Sequence, residues 1–212
     1  CRNHQDADQC AGESKLRKLV FASRNEGKVR ELNALLEECG ITLCSLNDYD
    51  DVPEIREDGL TFLDNALKKA RIVSGFTGQT ALADDSGIEV DALDGHPGVL
   101  SARYAGPNAT DAENNRKLLE ALRGVPPDKR GAAFRCVLVL CRPDGSFETF
   151  EGSWRGRIAE QPLGSGGFGY DPVFTVPELG LTAAQLPLEV KNRLSHRALA
   201  FQRLKKYLQT GI

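Results

Sequence analysis

The sequence predicts an α/β fold, a mixed β-sheet flanked by helices. Three observations carry this. The first half alternates strand-like and helix-like segments, the pattern of parallel strands joined by helical crossovers. Two extended runs flank Pro143-Asp-Gly145 and read as an antiparallel pair. The 212 residues are 41% hydrophobic and 27% charged, ordinary for a chain that buries its own core without staples.

Cys1 to about Lys15 is polar and without period, so residues 1–16 are expected to form a disordered extension and 17–212 a single domain. Lys18-Leu-Val-Phe-Ala22 is a strand. The polar turn Ser23-Arg-Asn-Glu-Gly-Lys28 follows, then a helix with Val29, Leu32, Leu36 and Cys39 on one face. A strand, a tight turn and a helix start present backbone N–H groups to an anion. The Walker spacing Gly-x4-Gly-Lys-Ser/Thr is absent. Lys28 in the first helical turn opposes the macrodipole, so it either points to solvent or meets a bound phosphate.

Ile41 to Ser45 is the second strand. The acidic stretch from Asn47 to Asp58 reads as a solvated loop, in which composition alone does not say which carboxylate could hold a metal. Leu60 to Ser74 is a helix opened by the capping box Thr61-Phe-Leu-Asp64, with Phe62, Leu63, Ala66, Leu67, Ala70 and Val73 available to pack inward. Asn65 and Lys69 are four apart and share a face.

Thr80-Ala-Leu-Ala-Asp-Asp-Ser-Gly87 is the stretch around which the chain is organised. An apolar run ends in Asp84 and Asp85, Ser86-Gly87 marks a turn, and Ile88 to Leu93 alternates like a second strand. If one strand ran through both carboxylates, they would point to opposite faces. One is therefore expected to anchor the turn while the other points into a cleft.

Asp94 to Gly98 is a turn cluster, and the short segment Ser101 to Gly106 carries Arg103. Thr110-Asp-Ala-Glu113 is a capping box opening a structural helix that ends at Gly124, before Pro126. Ala132 to Cys141 is apolar enough for a central strand; Ser146 to Glu151 returns antiparallel, and Trp154 and Ile158 continue extended. Leu163-Gly-Ser-Gly-Gly-Phe-Gly-Tyr-Asp-Pro172 interleaves glycine with two aromatics, which suggests close backbone approach to a ligand and a ring for stacking. Thr182 to Lys191 is a short helix or turn. Ser195 caps a last helix with Phe201, Leu204 and Leu208 inward, and Lys191, His196 and Arg197 collect near its start, where an anionic or carbonyl-rich ligand fits.

Composition excludes several classes. The net charge of −3 gives no global signal for nucleic acid, and no apolar run reaches membrane-spanning length. The six cysteines form no Cys-x-x-Cys, and Cys136 and Cys141 would face opposite sides of a strand, so a zinc site is not expected. Free thiols in a reducing cytoplasm fit better. The first residues contain no apolar signal-peptide core.

In this order the motifs resemble the inosine-triphosphate pyrophosphatase family. The matching residues are Ala22-Ser-Arg-Asn-x-x-Lys28, Glu57-Asp-Gly-Leu-Thr-Phe-x-x-Asn-Ala66, Lys69-Ala-Arg71, Ala83-Asp-Asp-Ser-Gly87 and Gly98-x-x-Ser-Ala-Arg-Tyr104. Gly166-Gly-Phe-Gly-Tyr-Asp-Pro172, Thr182-Ala-Ala and Lys191-x-x-x-Ser-His-Arg197 complete the set, which spans residues 18 to 208. The departures are Ser23-Arg24 where Thr-Gly is common and Gln185 where Glu is common.

The resemblance implies an elongated fold of two lobes with a cleft between them, and usually a homodimer. It implies hydrolysis of non-standard purine nucleoside triphosphates (ITP, dITP, XTP) to the monophosphate and pyrophosphate with Mg2+. By the same route Glu57 and Asp85 are metal ligands, Asp85 also orients or deprotonates the water, and Asp84 supports the turn. Ser23, Asn25, Lys28 and Lys69 hold the phosphates, and Ser86 is a further substrate-binding residue. Phe168 stacks on the purine, while Gly169, Tyr170, Asp171, Lys191, His196 and Arg197 surround and read its edge. Two other readings are a pyrophosphatase for other modified nucleotides and a non-catalytic nucleotide sensor.

Overall fold

The computed structural model describes residues 17–36 and 40–210; the proposed extension over residues 1–16, and Cys39 on the first helical face, lie outside them. The elements are β1 (Arg17–Phe21), α1 (Glu26–Leu36), β2 (Ile41–Ser45), α2 (Phe62–Thr77), β3 (Ala81–Val90), α3 (Asp111–Ala121) and β4 (Gly131–Cys141), then β5 (Phe147–Ile158), β6 (Phe174–Val176), β7 (Leu181–Thr182), α4 (Leu188–Leu194) and α5 (His196–Gln209). One seven-stranded sheet runs in the order β2-β1-β3-β4-β5-β6-β7. β1 pairs parallel with β2 and β3, and every other pairing is antiparallel. The expected mixed sheet is therefore present, with apolar β4 at its centre.

The helix starts follow the sequence chemistry. Thr61 and Asp64 close a capping box on α2, Thr110 and Glu113 close one on α3, and Ser195 accepts from the Ala198 N–H at the start of α5. α2 continues to Thr77, past the expected end at Ser74, and stops at Gly78 in the left-handed conformation. β6 and β7 were not foreseen; they are three and two residues long, too short to show an alternating pattern.

The core divides along the long strands. Leu82, Leu138 and Phe150 pack with Leu32 and Leu36 of α1 and Phe201 and Leu204 of α5. On the opposite face Ala81, Ala83, Val137 and Val139 pack against Ala66, Ala70 and Val73 of α2. The far ends of the same strands, with Ile88, Phe134 and Trp154, belong to a separate cluster with Phe174, Leu118 and Leu122. Asp84 to Ser86 lie at the break between these clusters, opposite Leu138 to Cys136.

The expected turn at Ser86-Gly87 is not formed. β3 runs unbroken through Asp84, Asp85, Ser86 and Gly87, all paired with β4. Gly87 serves close packing: a Cβ there would stand 2.5 Å from the Gly98 carbonyl oxygen and 2.5 Å from Ser101 Oγ. Ser101 sits in a short 3-10 helix, Gly98–Arg103, and its hydroxyl accepts from the Ile88 N–H at 2.9 Å. The local Asp-Asp-Ser-Gly signal mimics a turn, but pairing along the whole of β4 overrides it.

Candidate active site

Strand alternation places Asp84 and Ser86 on the face of α1 and α5, and Asp85 and Gly87 on the face of α2. Each carboxylate has its own partners. Lys28 Nζ lies 2.8 Å from Asp84 Oδ2, so Lys28 does not simply point to solvent; it is drawn inward by a buried carboxylate. Asp85 Oδ2 accepts from Asn65 Nδ2 at 2.9 Å, and Asp85 Oδ1 from the Ser86 N–H at 3.0 Å. Asn65 Oδ1 in turn accepts from the Gly59 N–H at 2.8 Å, which ties the acidic loop to α2. Lys69 Nζ lies 2.6 Å from Glu57 Oε1, and Arg103 Nη2 donates to the Glu57 carbonyl at 2.8 Å. Since no turn exists at Ser86-Gly87, Asp84 does not support one; it holds Lys28 instead.

The electrostatics separate the adjacent carboxylates. Burial opposes ionisation of Asp84, but Lys28, Lys69 and Arg197 outweigh it and hold the carboxyl well below the usual range. Burial pushes Asp85 up to about 6; Lys69 and Asn65 oppose this, while Glu57 and Asp84 add to it. Burial also opposes the charge on Lys69, yet Asp84, Glu57 and Asp85 together raise it above its ordinary value. Lys69 thus answers carboxylates on both sheet faces.

Lys28→Met should cost about 2 kcal/mol of stability at neutral pH, because it removes the nearest cation from a buried carboxylate while Lys69 and Arg197 remain. The depressed Asp84 carboxyl contributes stability that is present above its unfolded value, about 4, and is lost as pH falls through its folded value. The gap between variant and parent should therefore narrow below about pH 4. Urea midpoints measured against pH check this, and a gap independent of pH would place the cost outside Asp84.

The second group of residues gathers beyond Ser86. Phe168 is 39% exposed, with Lys191 Nζ at 4.9 Å and Arg197 Cζ at 5.3 Å from its ring centroid. Lys191 Nζ is paired with Asp171 Oδ2 at 2.5 Å, and the same oxygen accepts from the Phe168 N–H at 2.9 Å. Arg197 Nη2 donates to Ser86 Oγ at 3.3 Å. His196 is buried, stacked on Phe134 at 4.7 Å, and burial with Arg197 and Lys191 nearby keeps it neutral. The Tyr170 hydroxyl is committed to the Ser101 carbonyl at 2.8 Å.

Gly164, Gly166 and Gly167 approach protein, whereas Gly169 lines the smaller cavity and a Cβ there would meet nothing within 4 Å. A Cβ at Gly166 would meet the Ala184 carbonyl, and one at Gly167 would collide with the Asp171 carboxylate. They let the loop fold down onto residues 183–185 and Asp171.

Two cavities meet at this site. One, of about 400 Å3, is lined by Ser23, Asn25, Lys28, Glu57 and Lys69. The other, of about 230 Å3, is lined by Ser86, Phe134, Phe168, Gly169, Tyr170, Asp171, Lys191, His196 and Arg197. Asn25 and Lys28 line both. A polar, cation-bearing groove thus opens beside a more enclosed pocket with aromatic walls.

The Ham1 family model matches residues 19–207. The chain belongs to the Ham1 family. It is 56% identical over 191 residues to the dITP/XTP pyrophosphatase of Geobacter sulfurreducens, covering 90% of this chain and 96% of that protein. It is 52% identical over 191 residues to the dITP/XTP pyrophosphatase of Desulforamulus reducens, covering 90% of this chain and 95% of that protein. The solved structure of a HAM1 protein from Coxiella burnetii superimposes with a TM-score of 0.86 at 43% identity, covering 92% of this chain and all of that one.

In this Ham1 chain the residues singled out from sequence fall into the two connected groups described above. Sequence reasoning passed over Ser101 and, on α3, Asp111, Asn114 and Asn115. Asn114 Nδ2 donates to the Ala102 carbonyl, and Asp111 and Asn115 both bond Gly169, so α3 does more than fill space. Their spacing is visible in the sequence; that it faces Gly169 is a tertiary fact.

Proposed function

We propose that this chain hydrolyses ITP, dITP and XTP at the α-phosphorus, releasing the monophosphate and pyrophosphate. The observation that carries the reading is the junction of the two cavities at Asn25 and Lys28. A nucleoside triphosphate needs a cationic groove for phosphates joined to an aromatic pocket for a base, and this family's relatives are named for such substrates.

Ser23, Asn25, Lys28 and Lys69 hold the phosphates. The carboxylates of Glu57 and Asp85 fit a hard divalent cation such as Mg2+, which needs only one or two carboxylates because waters and phosphates complete its shell. Burial opposes the charge on Asp85, and Glu57 and Asp84 add to that cost, which a bound cation would offset. When bound, the cation supplies neutralising charge at the phosphate oxygens. Asp85 orients a water and takes its proton as the oxygen adds to the α-phosphorus. The bond to the bridging oxygen breaks, and pyrophosphate leaves with the electron pair.

On the base side Phe168 stacks on the purine, and Lys191 and Arg197 present donors to its edge. The backbone of Gly169, Tyr170 and Asp171 and the neutral ring of His196 close the pocket. The reading includes a cytoplasmic homodimer. Cys44, Cys136 and Cys141 are free thiols, and no helix among the described residues is long and apolar enough to cross a membrane. Neither nucleic acid nor a membrane is a partner in this reading.

The test is hydrolysis of ITP, dITP, XTP, GTP and ATP with Mg2+ and identification of the phosphate product. Pyrophosphate, with ITP or XTP far ahead, is expected. Orthophosphate would mean attack at the γ-phosphorus, and pyrophosphate without base preference would remove the specificity claim.

A further inference from the structure

We propose that Asp111 and Asn115, one turn apart on α3, are positioning residues for base recognition, because between them they hold both backbone groups of Gly169. Asp111 Oδ2 accepts from the Gly169 N–H at 2.6 Å, and Asn115 Nδ2 donates to the Gly169 carbonyl at 2.9 Å. The proposal rests on the reading that Phe168 stacks on the purine.

The two side chains are otherwise uncommitted. Thr110 and Glu113 complete the cap of α3 without Asp111. Asn115 is buried, and its Oδ1 has no hydrogen-bond partner among the described residues, so its polar end serves Gly169 alone. An amide buried for a single bond marks that bond as its role.

The position of Gly169 gives the clamp its consequence. Gly169 follows Phe168 directly, and on the other side Asp171 holds the Phe168 N–H. The ring-bearing peptide is thus fixed from α3 at one end and from the Asp171–Lys191 pair at the other. A Cβ at Gly169 would meet nothing within 4 Å, and its φ is +62°. α3 is itself anchored by Leu118 and Leu122 in the core cluster that contains Phe134, the residue on which His196 stacks. The clamp therefore refers the stacking ring to the same framework as the pocket floor. Releasing it leaves the phosphate groove intact and lets the ring drift from the base.

The experiment compares Asp111→Ala, Asp111→Asn, Asn115→Ala and Phe168→Ala in the full chain, with KM and kcat for ITP and GTP and a melting curve for each. Asp111→Ala should raise KM for ITP about tenfold with kcat within about threefold, the loss expected for one charge-assisted bond. Asn115→Ala should raise it a few-fold. Asp111→Asn keeps an acceptor for Gly169 and should recover most of the loss, although it changes the helix charge as Ala does. Equal effects of Asn and Ala would assign the loss to helix charge and overturn the clamp, as would a fall in kcat with KM unchanged. If Phe168→Ala leaves KM and the ITP/GTP ratio untouched, the stacking reading fails. If Phe168→Ala alters them and neither α3 variant does, the clamp fails while stacking stands.

Discussion

Asp85→Asn is expected to lower turnover of ITP by at least about 10³-fold while leaving the fold intact. The substitution is nearly isosteric; it removes the charge and turns one of the two oxygens that accept from Asn65 and from the Ser86 N–H into a donor. In the folded chain that charge sits in a costly place: Asp85 is 7% exposed, burial pushes its carboxyl up to about 6, and Glu57 and Asp84 stand near it. A raised carboxyl subtracts stability as pH climbs from its unfolded value, about 4, to its folded one, and the full cost is present above that. The neutral Asn escapes that cost but leaves one N–H donor without its acceptor, and the two effects offset, so without divalent cations at neutral pH the variant should melt within a few degrees of the parent. A stable, inactive protein is the expected pair of results, read by calorimetry in chelator and by pyrophosphate release with Mg2+. Hydrolysis within about tenfold of the parent would remove Asp85 from the proposed chemistry. A variant that unfolds would show that Asp85 is held for structure through Asn65 and the Ser86 N–H.

Much of this was legible in the sequence because the signals were local. Capping boxes at Thr61 and Thr110, the i, i+4 pair Asn65 and Lys69, and the apolar run of β4 each depend on neighbours within one turn or one strand, and each appears as read. The misread positions depend on distant partners. Ser86-Gly87 carries turn chemistry, yet Gly87 is small because Gly98 and Ser101 pack against it. At Gly164, Gly166 and Gly167 the close approach is to Ala184 and Asp171, and of the glycines in residues 163–169 Gly169 alone has open space where its Cβ would be. Lys28 looked like a misplaced cation because its counter-charge, Asp84, lies 56 positions along the chain.

The same contrast explains how adjacent carboxylates take different partners on opposite faces. β1 pairs with β3 only through Val20 and Phe21, against Ala81 and Leu82. Beyond Leu82 that edge of β3 has no strand partner among the described residues until the Glu89–Pro97 bridge. Lys28 reaches it from α1 and Lys69 from α2. The short β1 leaves this stretch of the β3 edge free of a paired strand, beside the Lys28–Asp84 and Lys69–Glu57 pairs.

Arg197→Ala should narrow the preference for dITP over dATP by at least about tenfold. Arg197 opens α5, with its guanidinium carbon 5.3 Å from the Phe168 centroid and its Nη2 on Ser86 Oγ. A guanidinium only donates. Hypoxanthine offers a carbonyl at position 6 and is satisfied by a donor, whereas adenine offers an amino group there and would leave two donors facing each other. Removing the guanidinium costs dITP a hydrogen bond and relieves dATP of that mismatch, so the two efficiencies converge. The variant has a second effect, since Arg197 also helps hold Asp84 ionised. That effect acts on the phosphate side and lowers both substrates alike, so the dITP/dATP ratio of kcat/KM isolates the base. Lys191 remains as a donor beside the Phe168 ring, so some preference should survive. An unchanged ratio, with both substrates slowed equally, would confine Arg197 to the electrostatics of Asp84 and move base reading to Lys191 and the backbone of the Gly169 loop.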